Sequence, residues 1–151
     1  MQIRWMIRRD MPQVLAIERR VYLDPWTERD FIAAIQQQDH IGMVAEIGEV
    51  PAGFMVYAMR KNRFEIVNLA VDPAYQRQGI GSRMVGRIIG KPSRNRREIQ
   101  ANVRERNLAA QLFLREIGFR AERIIPGDCY GWDEDAYEMV CRLQQDAELS
   151  V

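Results

Sequence analysis

Apolar residues alternate along some stretches of this chain and recur at helical spacing along others, and the switches between the two periods mark its elements. Ile3 to Arg8 reads as a first strand. Asp10 with Gln13 resembles a capping box ahead of a helix on which Val14, Ile17 and Val21 share a face. Pro25 stops that helix, and Thr27 with Asp30 caps a second one whose apolar positions are Phe31, Ile32 and Ile35. Gly42 to Ile47 and Ala52 to Met59 are β-type runs joined by a turn over Gly48, Glu49, Val50 and Pro51, which makes a hairpin. Asn62 punctuates before a third antiparallel strand, Phe64 to Val71.

Beyond that strand, Asp72-Pro73 is turn chemistry, because proline fixes its own φ and keeps the preceding residue out of the helical region. Met84, Val85, Ile88 and Ile89 then predict a helix. A basic connector from Lys91 to Arg97 leads to Glu98–Val103, which alternates with Ile99, Ala101 and Val103 on one face. Asn107 caps a helix with Ala109, Leu112, Phe113 and Ile117 on its stripe, and Gly118 ends it. Phe119 to Ile125 and Ala136 to Leu143 are the last strands, separated by turn-rich Pro126 to Asp135. The order β-α-α-β-β-β-α-β-α-β-β predicts an α+β fold with helices layered on a mixed sheet. No repeat, linker or second domain is visible, so residues 1–151 are expected to form one domain with a polar tail from about 144.

Composition narrows the class without naming a chemistry. Hydrophobic residues at 47% and charged ones at 28% are ordinary for a soluble globular chain. A net charge of +1 gives no electrostatic footprint for nucleic acid. No apolar run approaches a membrane span, and the first residues have too short an apolar core for a signal peptide. Cys129, Cys141 and the single His40 make neither a disulfide framework nor a metal site. The expectation is a cytoplasmic protein with reduced thiols and no metal.

The candidate chemistry lies between the third strand and the helix after it, in Asn68-Leu69-Ala70-Val71-Asp72-Pro73-Ala74-Tyr75-Gln76-Arg77-Gln78-Gly79-Ile80-Gly81. Two glycines just before a helix free the backbone to aim several N–H groups at one point, where the helix dipole favours an anion. A P-loop would need Gly-Lys-Ser/Thr where Gly81-Ser82-Arg83 stands, and a dinucleotide fingerprint would need a third glycine where Met84 stands. The pattern Gln/Arg-x-x-Gly-x-Gly/Ala does fit, through Gln76, Gly79 and Gly81. Together with Asn107-Leu108-Ala109-Ala110 and Leu114-Arg115-Glu116-Ile117-Gly118-Phe119, this stretch resembles the GNAT superfamily of acyl-CoA-dependent N-acetyltransferases.

That resemblance implies a GNAT fold: a mixed, mostly antiparallel sheet of about seven strands, flanked by about four helices, with the fourth and fifth strands splayed around the thioester arm of acetyl-CoA. It places Leu69, Ala70, Val71, Gln76, Arg77, Gln78, Gly79, Ile80, Gly81, Ser82 and Asn107 at the cofactor. The Val71 N–H would meet the acetyl oxygen, stabilising charge as the tetrahedral intermediate forms. Two further segments, Pro25-Trp26-Thr27-Glu28 and Glu134-Asp135-Ala136-x-x-Met139, resemble the ribosomal-protein alanine N-acetyltransferases within that superfamily. Pro25, Trp26 and Tyr130 would then line the acceptor channel.

The same likeness exposes two departures. The branch has a glutamate, as general base, where Asn102 stands, and a tyrosine, as general acid, where Leu114 stands. Neither replacement can carry a proton. Tyr130, Glu65 and an Asn102-oriented water are the candidate substitutes. The resemblance therefore implies direct attack of an amine on acetyl-CoA, with a protein N-terminal α-amine, such as that of a ribosomal protein, as acceptor. The alternatives are a small-molecule or lysine N-acetyltransferase, and an acyl-CoA-binding module with attenuated turnover.

Overall fold

The computed structural model describes residues 1–91 and 94–143, apart from the side chains of Cys129 and Tyr130. Its strands are β1 Gln2–Trp5, β2 His40–Ile47, β3 Val50–Met59, β4 Phe64–Val71, β5 Glu98–Arg104, β6 Arg120–Ile125 and β7 Ala136–Arg142. Its helices are α1 Met11–Val21, α2 Glu28–Ile35, α3 Ile80–Ile89 and α4 Leu108–Glu116. The strands form one sheet in the order β1-β2-β3-β4-β5-β7-β6. β4 and β5 run parallel, with Phe64, Glu65 and Ile66 in register with Ile99, Gln100 and Ala101, and the other strand pairs are antiparallel. The expected α+β fold, with its seven-stranded mixed sheet and four helices, is the observed one.

The chain divides into two compact units, Met1–Met59 with Val67–Lys91, and Arg60–Ile66 with Pro92–Val151. In the first unit, α1 and α2 bury Met11, Val14, Ile17, Phe31 and Ala34 against Val44, Phe54, Val56 and Ala70 of the strands. Phe31 stands edge-on to both Trp26 and Phe54, at centroid distances of 5.0 and 5.4 Å. Burying an aromatic or branched side chain stabilises by ~1.5–3 kcal/mol, so this cluster is a main source of the unit's stability. In the second unit the alternating face of β5 is buried through Ile99, Ala101 and Val103, as expected. Cys141 on β7 is a free, buried thiol whose pKa burial pushes up.

Several local expectations need correction. The first strand ends at Trp5, because Arg8–Asp10 forms a 3₁₀ turn. Asp10 does not cap α1 with its side chain. Its carboxylate instead accepts an N–H from each terminal guanidinium nitrogen of Arg4 at 2.8 Å and the Ile7 N–H at 2.8 Å. A charged fork outcompetes a neutral cap. On α2, Ala34 is buried and Ile32 exposed, and on α3 Ile89 is exposed. On α4 the buried residue is Leu114, whereas Ala109 and Leu112 face outward. That helix is apolar on too many sides for periodicity to choose its face.

Burial works against charge on Asp10, but the Arg4 fork and the Ile7 N–H outweigh it and hold the carboxyl below its ordinary 3.8. A depressed acid stabilises the fold above its unfolded pKa and loses that contribution as pH falls through the folded value. Asp10→Asn is therefore expected to cost about 2–3 kcal/mol at pH 7. The gap to the unaltered protein should narrow on acidification below 3.8. Thermal melts at pH 7 and pH 3 check this, and a gap that stays constant with pH contradicts it.

Candidate active site

β4 ends at Val71 and is followed by Asp72, whose carboxylate does two things. One oxygen accepts the Ala74 N–H at 3.0 Å, shaping the turn, and the other accepts from Arg20 of α1 at 2.7 Å. Beyond the turn, Gln76 reaches back to donate its side-chain amide to the Val71 carbonyl at 3.1 Å. Arg77 and Gly79 both have positive φ, 66° and 78°. The left-handed region costs an L side chain energy and costs glycine little, which explains Gly79. Arg77 is the one described non-glycine residue with positive φ, a backbone state that costs an L side chain energy.

Gly79 is the N-cap of α3 and supplies no side-chain capping bond. The first N–H groups of a helix have no partner within it, so this end offers backbone donors and a positive dipole end. Gln76, Arg77, Gln78 and Ser82 are exposed around it, while Ile80 and Gly81 are buried and anchor the turn. Such a cradle suits a diphosphate. β3 supports it from behind: a Cβ at Gly53 would lie 3.0 Å from the Ala70 carbonyl oxygen and 3.2 Å from Met84. A side chain at this position would press on β4 and α3, which glycine avoids.

On the other side of β4, α1 makes the contacts. Tyr22, its C-cap residue, donates its hydroxyl to the Leu69 carbonyl. Glu18, one turn earlier and 2% exposed, accepts the Trp26 N–H and the Asn68 side-chain amide, each at 2.9 Å. Burial pushes the Glu18 carboxyl up against the opposing effect of those two donors, and Asp30 adds to the rise. Burial, with Glu18 alongside, also pushes the Tyr22 phenol up. Pro25 is exposed and Trp26 half-buried, so α1 seats this loop by its main chain and leaves one edge of it to solvent. Thr27 and Asp30 form the capping box expected of α2, with Asp30 accepting the Thr27 N–H at 2.9 Å.

The second unit carries the remaining candidates. Asn102 projects from β5 as an exposed side chain, its oxygen accepting from Gln100 at 3.2 Å. Glu65 is engaged by Arg60 at 2.9 Å. The Asn107 oxygen caps α4 by accepting the Ala110 N–H at 3.1 Å. Leu114 is buried. Tyr130 ends a 3₁₀ turn, Gly127–Tyr130, and its side chain lies outside the described residues. Pro92 and Ser93 of the basic connector also lie outside them. Arg96 of the same segment donates to the Arg60 carbonyl at 2.6 Å and lies over the Phe64 ring, so it serves the fold.

The Glu134-Asp135 pair organises this turn. Glu134, 9% exposed, accepts the Arg106 N–H at 3.3 Å and pairs with the Arg106 guanidinium at 3.3 Å. Asp135 accepts the Gly127 N–H at 2.9 Å with its side chain and the Glu105 N–H at 3.0 Å with its carbonyl. The two acids thus tie the Tyr130 loop to the turn between β5 and α4.

The model of the Acetyltransferase (GNAT) family matches residues 11–119. The chain belongs to that family. It is accordingly an acyltransferase of the N-acetyltransferase type. It is 29% identical over 116 residues to the "[Ribosomal protein bS18]-alanine N-acetyltransferase" of Escherichia coli K12, covering 76% of this chain and 78% of that one. The crystal structure of the ribosomal-protein-S18-alanine N-acetyltransferase from Escherichia coli superimposes with a TM-score of 0.81 at 26% identity, covering 95% and 94% of the two chains. Ard1 from Thermoplasma volcanium shares the fold, with a TM-score of 0.83 at 21% identity over 95% of this chain and 98% of that one.

Within this GNAT chain the sequence-derived candidates fall into two sets. Pro25, Trp26, Leu69, Ala70, Val71 and the loop from Gln76 to Ser82 lie in the first unit, and Glu65, Asn102, Asn107 and Tyr130 in the second. Sequence reasoning missed Glu18 and Tyr22. The one available signal was a carboxylate among Val14, Ile17 and Val21 on the apolar face of α1, where a charge needs a partner. Among the described residues, no helix is long and apolar enough to cross a membrane, and no group of three or more His, Cys, Asp and Glu is placed to hold a metal ion.

Proposed function

We propose that this chain, as a single catalytic domain, transfers the acetyl group of acetyl-CoA to a protein N-terminal α-amine by direct attack. The observation that carries the reading is the likeness to the alanine N-acetyltransferase of Escherichia coli, which spans 76% of this chain. The open N-terminal end of α3 supports it, because its uncapped N–H groups suit the cofactor's diphosphate. In this reading Leu69, Ala70, Val71, Gln76, Arg77, Gln78, Gly79, Ile80, Gly81, Ser82 and Asn107 hold acetyl-CoA. The Val71 N–H takes the charge that builds on the acetyl oxygen. Pro25, Trp26 and Tyr130 receive the acceptor, and Tyr130, Glu65 and an Asn102-held water are the candidates for moving its proton.

The departures at Asn102 and Leu114 suit an α-amine acceptor. General acid–base help is worth ~10²–10⁴-fold, so its loss leaves positioning and charge stabilisation intact. An α-amine of pKa ~8 is partly neutral at pH 7, whereas a lysine at ~10.4 needs a base far more. Incubation with acetyl-CoA and a panel of peptides is expected to release free CoA with open α-amines, those starting with alanine first. Peptides blocked at the α-amine but carrying lysine should release none. Turnover on blocked peptides alone would move the acceptor to lysine, and CoA binding without release from any amine would leave a binding module.

A further inference from the structure

Glu18 is a costly residue to bury. It is 2% exposed, its two oxygens accept from neutral donors, and no arginine or lysine among the described residues pairs with it. Taking a carboxylate out of water costs several kcal/mol even after relaxation, and two neutral N–H bonds offset only part of that. The negative charge of Asp30 opposes it further. A fold that needed only packing at this position would be better served by leucine.

The two donors come from separate elements. One is the main-chain N–H of Trp26, in the loop between α1 and α2, and the other is the side chain of Asn68, on β4. One turn along α1, Tyr22 holds the carbonyl of Leu69, the next residue of that strand. Arg20 holds Asp72 at its end with a 2.7 Å bond. Glu18 and Tyr22, four residues apart on one face of α1, therefore grip β4 at the successive residues Asn68 and Leu69, and Glu18 also fixes the acceptor loop. With its N–H held, Trp26 turns its ring edge-on to buried Phe31 at 5.0 Å.

We propose that Glu18 is a positioning residue, whose carboxylate sets where the Pro25–Trp26 loop stands relative to Asn68 and Leu69, and so sets affinity for the acceptor peptide. This rests on the reading above of that loop as the acceptor site. The requirement is for two acceptors on one side chain. Glutamine supplies an acceptor to Trp26 but turns a donor toward the Asn68 amide, whereas Glu18→Gln with Asn68→Asp reverses that bond and restores it.

The unaltered protein, Glu18→Gln and the double swap are compared by steady-state kinetics with acetyl-CoA and an alanine-started peptide. Glu18→Gln is expected to raise KM for the peptide about tenfold, the equivalent of about 1.4 kcal/mol, with KM for acetyl-CoA and kcat little changed. The double swap should recover most of it. A parallel loss in kcat and both KM values, or no recovery, overturns the proposal. Should Glu18→Gln not fold, Asn68→Ala removes one donor, leaves the carboxylate in place and carries the same comparison.

A second readout needs no turnover. With Trp5 and Trp132 replaced by phenylalanine in all variants, Trp26 is the only indole. Its quenching by acrylamide should rise in Glu18→Gln and fall back in the double swap. Unchanged quenching overturns the positioning role. If quenching responds as expected while the unaltered protein acetylates no amine, the positioning role stands and the proposed acceptor reading falls.

Discussion

Gly127→Ala is expected to destabilise the protein by about 3 kcal/mol or more, the upper end of what overpacking costs. A Cβ there would lie 1.9 Å from the Glu134 carbonyl oxygen and 2.6 Å from its carbon. Both are main-chain atoms, so no rotamer change relieves the clash, and the strand entry at Ala136 or the 3₁₀ turn must move. Moving either pulls Asp135 from the Gly127 N–H, a 2.9 Å bond, and loosens the turn that carries Tyr130. For a chain of this size about 2–4 °C is lost per kcal/mol, so the melting temperature should fall by roughly 6–12 °C. Gly131→Ala is the control. Its Cβ would meet nothing within 4 Å, and the cost comes only from φ of +70°, about 1–2 kcal/mol. Equal melting of the two variants would defeat the steric argument.

Gly127 shows what kind of feature a sequence hides. In the chain it is one glycine in a turn-rich stretch, and its necessity comes from Glu134, brought against it by the folding of the loop. Features whose causes are local were legible. The Thr27–Asp30 capping box, the Asn107 cap and the bounds of β4 all depend on residues within a turn of one another. The glycine loop was legible for the same reason, because positive φ at Gly79 is a local demand. Asp10 was misassigned because Arg4, a better partner than a backbone N–H, comes from β1. The face of α4 was misassigned because Leu108, Leu112 and Leu114 leave its apolar side ambiguous, and only the packed structure selects Leu114. Glu18 was missed because its acceptor role is defined by Asn68, distant in sequence and adjacent only in the fold.

Asn102→Glu is expected to raise kcat for an α-amine peptide by ~10²-fold or more, the lower end of general-base catalysis, if proton removal limits the rate. Asn102→Glu is the cleaner of the two substitutions at the positions where the family resemblance expects a base and an acid. Asn102 is exposed on β5 and its oxygen accepts from Gln100. A glutamate keeps that acceptor, and an exposed change away from caps and core costs within about 0.5 kcal/mol. Leu114→Tyr, by contrast, forces a ring and a hydroxyl into a site that is 4% exposed. Overpacking there costs about 1–3 kcal/mol, and lost folding would mask any gain in rate. The pH profile separates a base from an improved fit. Without a base, kcat should follow the neutral fraction of the amine and drop tenfold per pH unit below its pKa of ~8. A glutamate that takes the proton flattens that limb toward its own, lower pKa, so the gain should grow as pH falls from 9 to 6. A gain that is the same at every pH, or none at all while acetyl-CoA still binds, would show that this chain acetylates without using that position.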